Sequence, residues 1–294
     1  MGLLLKREIR VKQFGFINVD KPSGVTSSAI VNKIKWLSGV PCGHMGTLDP
    51  LASGVLPVGV GNATRLFDYF LQKQKTYIAE FTFGETADTL DCTGEIVCGG
   101  HVPTEEEILA VLPQFIGEID QIPPKYSAKN VNGRRGYDLA RAGIEFELAP
   151  KRITVHGIDL LGKAEGKDNA YNFKIDCGGG TYIRSLARDI AVACGTQGLM
   201  SGLRRTKSGI FTVENAISAD DLTEENIQKM VIPTDTVLPF PVLELTSPNK
   251  DKIFNGMSVA TDYPEGEYKY YRDGEFYGIA EVKRGYAKMK TKLC

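Results

Sequence analysis

Residues 43–54 read GHMGTLDPLASG, a run of turn-forming residues around a single carboxylate. Gly43, Gly46 and Gly54 permit close backbone approach; Asp49 precedes a proline, and His44 stands five residues before it. An Asp-Pro step by itself more often starts a turn or caps a helix than carries chemistry. A catalytic carboxylate needs a rigid loop, a close substrate and a cation that keeps it ionised when water is excluded. An isolated aspartate titrates near ~3.9, and burial as an anion requires an opposite charge. Arg184, at the head of the segment TYIRSLA, is the candidate partner. His44 reads as a structural hydrogen-bonding residue or as a wedge into nucleic acid. Tyr77, in KTYIAEF, reads on spacing alone as a core strand aromatic or as a side chain facing a ligand.

The elements that would hold these residues follow from periodicity. GFINVDKP forms a strand ending at Pro22, and TSSAIVNKIKWL forms a helix capped by Thr26 or Ser27, with Ala29, Ile30, Ile34 and Leu37 near helical spacing. SGVLPVGVG is a strand, NATRLFDYFL a helix capped by Asn62, and KTYIAEFTFG an alternating strand. Thr104 and Glu107 form a capping box before EEEILAVLPQF. RITVHGIDLLG and AYNFKIDCG read as paired strands. GGGTYIRSLARDIAVACG is a glycine-rich turn into a helix whose stripe is Ile183, Leu186, Ala187, Ile190, Ala191 and Cys194, closed by Gly195. Arg184 and Arg188 then lie off that stripe. Strands and helices do not alternate as βαβ units, so the expected class is α+β, with a mixed, largely antiparallel sheet flanked by helices. Residues 120–150 break the pattern as a long basic excursion with a short helix near Tyr137 to Ala142. Such excursions are usually functional or disordered. From residue 237 onward a small β module is expected, with Asp273-Gly274 turning a hairpin.

Bulk composition narrows the classes. No stretch of the 294 residues reaches the ~18 apolar residues of a membrane span, and MGLLLKREIRVK is not a secretory h-region. Six cysteines are scattered without a CxxC pair, which suits reduced thiols in a cytoplasm. Cys92, Cys98 and His101 lack the paired spacing of a zinc site, so no metal is expected. Net charge is −1, yet residues 80–120 carry ten acids and no Lys or Arg, whereas residues 121–152 carry seven bases and three acids. Residues 181–209 add five bases against one acid, and residues 283–294 add five bases and no acid. This segregation suits a one-sided phosphate-binding face.

GHMGTLDPLASGVLPVGVGNATR resembles the nucleophile loop of the tRNA pseudouridine synthase B family, the pseudouridine-55 synthases. VDKPSGVTS, KTYIAEFTFGETADTLDCTGEI, QIPPKYSAKNVNGRRGYDLARAG, GGTYIRSLARDI and GLRRTKSGIF resemble, in order, its Lys-Pro segment, tyrosine motif, thumb insertion and remaining active-site elements. Met45 departs from the Thr or Ser common in the family. The resemblance implies a pseudouridine synthase fold over 1–236, with a thumb near 120–150, and a PUA-like RNA-binding module over 237–294. It implies isomerisation of a T-loop uridine of tRNA without a cofactor or an obligatory protein partner. Asp49 would be the nucleophile, attacking C1′ or assisting a glycal route. Tyr77 would stack on the target base, and Arg184 would pair with Asp49. Tyr182 and Leu203 would line the pocket, Lys21 and Pro22 would shape its rear, and His44 would fill the space vacated by flipped bases. Lys125, Lys129, Arg134, Arg135 and Arg141 would give the thumb its phosphate contacts. Asp91 would order its own loop. The alternatives are a guide-RNA-dependent synthase and a non-catalytic RNA-binding or tRNA-folding protein.

Overall fold

β1 (Gly15–Lys21) buries nearly every residue and leads into α1 (Ser27–Ser38). The Thr26 side chain caps that helix by accepting from the Ala29 N–H, and Gly39 closes it in the left-handed conformation. This computed structural model describes residues 14–127, 130–131 and 133–293. β2 (Cys42–His44) and β3 (Ser53–Val60) bracket the glycine-rich loop, and α2 (Phe67–Leu71) follows. The single helix expected from Asn62 is instead a 3-10 turn over Gly61–Leu66 running into α2, with no side-chain cap. Gly61 sits at φ +64° and donates to the Pro41 carbonyl, which fixes the start one residue earlier.

β4 (Lys75–Phe83) alternates as read. Thr104 and Glu107 form the capping box of α3 (Glu105–Val111), which gives way to a 3-10 turn containing Pro113. β5 (Gly117–Gln121) precedes the basic excursion, whose short helix is α4 (Gly136–Arg141). β6 (Lys151–Lys163) and β7 (Ala170–Cys177) pair antiparallel, as expected. α5 (Ile183–Ala193) follows the glycine turn, then β8 (Gly198–Ser208) and the short β9 (Ile217–Ser218).

These nine strands, with two short ones at Phe211–Thr212 and Ile232–Pro233, form an eleven-stranded sheet with the main order β9-β1-β3-β8-β4-β7-β6-β5. β1 with β9 and β8 with β3 are parallel, and the other main neighbours are antiparallel. The mixed α+β class is as expected. β8 is central: Arg205 stands opposite Gly54 of β3 on one side and Tyr77 of β4 on the other. Three distant segments thus meet at one row of the sheet.

The large core lies between the sheet and helices α1, α3 and α5, with Phe81, Phe83 and Phe173 fully buried. A second cluster joins Phe16, Met45, Val55, Phe70 and Phe211 to Ile279 and Leu293. β10 (Val259–Ala260), β11 (Gly266–Arg272), β12 (Glu275–Lys283) and β13 (Tyr286–Lys292) make a separate antiparallel sheet in the order β10-β13-β12-β11. Asp273 and Gly274 both take positive φ at the β11–β12 turn, as the hairpin reading requires. Among the described residues no helix is long and apolar enough to cross a membrane.

Candidate active site

The loop between β2 and β3 is fastened at six consecutive carbonyls. Those of Gly46 and Thr47 accept from Arg205 at 3.0 and 3.4 Å. Ser27 Oγ donates to the Leu48 carbonyl at 2.8 Å while accepting from the Leu48 N–H at 2.9 Å. The Asp49 carbonyl accepts from Ala52 N–H, that of Pro50 from Gly24 N–H, and that of Leu51 from Ser23 Oγ. Lys21, fully buried, adds a longer contact to the Pro50 carbonyl at 3.4 Å. A loop without helix or strand hydrogen bonds is therefore rigid, and the Asp49 carboxyl projects from it into a cavity of about 550 Å³.

Arg184 grips that carboxyl at two points, Nε to Oδ2 at 3.0 Å and Nη2 to Oδ1 at 3.3 Å. Although off the apolar stripe of α5, Arg184 is buried, because loops from elsewhere close over it. Its Nη1 donates to the Thr89 carbonyl at 2.9 Å and lies 3.5 Å from Asp91, and its Nη2 donates to the Tyr126 carbonyl at 3.0 Å. Asp91 does order its own loop, accepting from Thr89 and Thr93. It is also the second carboxylate on Arg184. Desolvation pushes the Asp49 carboxyl above the ordinary aspartate value, against the pull of the Arg184 guanidinium.

Tyr77 is buried in the same cavity, and burial pushes its phenol up, so it stays neutral. Tyr182 and Leu203 also line the wall. Lys21 and Pro22 do not reach the lining. Lys21 lies behind the loop, its Nζ donating to the Val25 carbonyl at 2.6 Å, and Pro22 is exposed. Burial, assisted by Arg205, lowers Lys21 to about 8, with Asp49 opposing. His44 is half-buried on β2, outside the cavity lining, and its Nδ1 has no partner among the described residues. Burial lowers its pKa and favours the neutral ring. Lys125, Arg134 and Arg141 are exposed on the excursion, whereas Lys129 and the side chain of Arg135 lie outside what is described. Met45 points into the Phe16 cluster, away from the cavity, so its departure in type alters the loop's anchor and not its reactive face.

Residues 35–183 match the family model "TruB family pseudouridylate synthase (N terminal domain)". The chain belongs to the TruB family. Residues 184–239 match the "tRNA pseudouridylate synthase B C-terminal domain". The tRNA pseudouridine synthase B of Clostridium kluyveri is 39% identical over 286 residues, 94% of this chain and 98% of its own. That of Aquifex aeolicus is 38% identical over 287 residues, 95% of this chain and 99% of its own. Among solved structures, a chain of a Cbf5-Nop10-Gar1 complex superposes with a TM-score of 0.71 at 27% identity, covering 98% of this chain and 88% of that one. The pseudouridine synthase fold and the C-terminal strand module agree with these matches.

Several residues of this TruB-family site escaped the sequence reading. Arg205 and Lys75 line the cavity from strand positions. Burial, then Arg205, lowers Lys75 to about 8. Gln121, buried at the base of the excursion, accepts from the Tyr182 N–H at 2.8 Å and donates to the Tyr182 carbonyl at 3.1 Å. That amide pair anchors the start of α5 and hence Arg184. Gly54 carries φ +102°, and a Cβ there would collide with the Arg205 carbonyl oxygen. Gly54→Ala is expected to cost at least about 2 kcal/mol, since Ala at positive φ loses more than the usual ~1 kcal/mol and the clash adds to it. Thermal unfolding checks this, and an unchanged Tm would contradict the close packing of β3 on β8.

Proposed function

We propose that the protein isomerises the T-loop uridine at position 55 of tRNA to pseudouridine, with Asp49 as the nucleophilic carboxylate. The supporting observation is a TruB-family chain whose cavity presents an aspartate gripped by Arg184 and shares its wall with Tyr77. The reaction breaks the C1′–N1 bond and forms a C1′–C5 bond. C5 loses its hydrogen and N1 gains a proton, so nothing is oxidised and no cofactor is called for. Asp49 serves the ribose side of this exchange, where an anion held by one guanidinium is kept ionised yet poorly solvated. Tyr77 stacks on the base and stands near C5, while Tyr182 and Leu203 wall the pocket and Lys21 and Pro22 back the loop.

The target must leave its stack, which costs a few kcal/mol. His44, neutral by virtue of its burial, fills the vacated space without bringing a charge into the base stack. Lys125, Lys129, Arg134, Arg135 and Arg141 bind phosphates from the thumb, and the module over 237–294 binds RNA beyond the T-loop. In this reading residues 1–236 form the catalytic domain, and the substrate is the T-arm stem-loop. The full-length similarity to proteins named tRNA pseudouridine synthase B, together with the basic excursion, favours a stand-alone enzyme over a guide-dependent one.

Tritium release from C5-labelled uridine in a T-arm transcript, with no added protein or cofactor, tests the assignment. Release is expected from this chain alone. Tight binding without release would favour the guide-dependent or binding-only alternatives. The thumb is expected to show low hydrogen-exchange protection in free protein and higher protection with RNA; equal protection in both states would remove its proposed role in closing over RNA.

A further inference from the structure

Among the described residues Arg205 is one of the largest fully buried side chains, 1% exposed, and it forms no ion pair. Burying a guanidinium without a carboxylate is expensive, and its surroundings sharpen the cost, since its charge bears on Lys21, Lys75 and His44. Its hydrogen bonds show what it does there. Nε donates to the Val55 carbonyl at 2.7 Å, Nη2 to Gly46 at 3.0 Å and Nη1 to Thr47 at 3.4 Å. The fork therefore spans both arms of the Asp49 loop, its entry at 46–47 and its exit into β3. On its other flank Arg205 stands in register with Tyr77 of β4, and both side chains line the cavity.

From this arrangement we infer that Arg205 is a positioning residue, which locks the Asp49 loop to the row of the sheet that carries Tyr77 so that carboxylate and phenol meet the same nucleotide in fixed geometry. The inference rests on the proposed reaction. Its neighbour Arg204 shows that the placement is specific: Arg204 turns to the other face and pairs with Asp20 at 2.7 Å. A lysine at 205 would keep the charge but not the planar fork, and one ammonium cannot replace a guanidinium that reaches Val55, Gly46 and Thr47 in different directions. Ser27 holds the adjacent peptide of the loop from α1, so the two residues act on one object.

The test is single-turnover pseudouridine formation and RNA affinity on the T-arm transcript for wild type, Arg205→Lys, Ser27→Ala and the double variant. Arg205→Lys is expected to bind RNA within about threefold of wild type and to slow the chemical step about 100-fold, the scale set by misplacing reacting groups by about 1 Å. The double variant is expected to lose less than the product of the single losses, because both release the same loop. Arg205→Ala with added guanidinium, set against an equal concentration of sodium chloride, should recover part of the rate. A Lys variant with wild-type turnover, a defect confined to RNA affinity, or fully multiplicative losses would each overturn the inference. If Arg205→Ala does not fold, Arg205→Lys, which keeps charge and bulk, still decides. An inactive wild type would instead overturn the proposed function, and this inference with it.

Discussion

Asp49→Asn is expected to abolish pseudouridine formation, by about 10⁴-fold or more, while RNA affinity stays within about threefold of wild type. Removing a nucleophile costs on that scale in enzymes whose remaining machinery is intact. The machinery should remain intact here. The loop carbonyls from Gly46 to Leu51 are held by Arg205, Ser27, Ala52, Gly24 and Ser23, none of which uses the Asp49 carboxyl. An asparagine oxygen still accepts from Arg184, so the side chain keeps its place and loses only its charge. A factor of 10⁴ corresponds to about 5.5 kcal/mol of barrier. Tritium release with fluorescence anisotropy on the same transcript separates the two quantities. Turnover within tenfold of wild type would mean that another group attacks the ribose.

The second large effect concerns Arg184→Gln, which leaves two carboxylates facing each other without their cation. Turnover at neutral pH is expected to fall at least about 100-fold, the usual scale for removing a preorganised charge from a closed site. The pH dependence carries the sign. Desolvation already raises Asp49 above its ordinary value of 3.8, and Arg184 is the largest opposing influence. Without Arg184 the carboxyl rises further, so the acid limb of the rate profile moves to higher pH and the deficit narrows as pH increases. Stability moves the other way. A carboxyl whose folded pKa lies above its unfolded one binds more protons when folded, so stability falls as pH rises through that window. Asp91, buried and stripped of its guanidinium, adds a loss of about 3 kcal/mol. Chemical denaturation at several pH values should therefore show a destabilisation smallest in acid and largest near neutrality. An unmoved acid limb would show that the acid limb reports some group other than Asp49.

Periodicity and turn chemistry carried much of the fold into view. α1, α5, the capping box at Thr104 and the hairpin at Asp273-Gly274 each rest on contacts within a dozen residues, and such local preferences are written in neighbouring side chains, as is the alternation of β4. The glycine-rich run around Asp49 was conspicuous for the same reason, as was Arg184 at the head of a helix after a glycine turn. Nothing local marks β8 as a strand. GLMSGLRRTKS has little β-branched or aromatic content, and it becomes the central strand because β3 and β4 supply partners on both sides.

Adjacent arginines show where local information ends. Alternation along a strand says that Arg204 and Arg205 face opposite ways, but not which one meets solvent. That choice depends on Asp20 lying beside one and the Asp49 loop lying over the other, residues some 150 or more positions away along the chain. Arg184 and Asp91 follow the same rule, since an off-stripe arginine is buried only when distant loops close over it. The residue types able to do chemistry, and the turns and helices that present them, were thus determined locally. Which cations are buried, which carboxylate each one holds, and how Tyr77 comes to face Asp49 were decided by long-range packing. A charge is stabilised by whatever three-dimensional neighbours replace its water, and those neighbours come together only when the sheet is assembled.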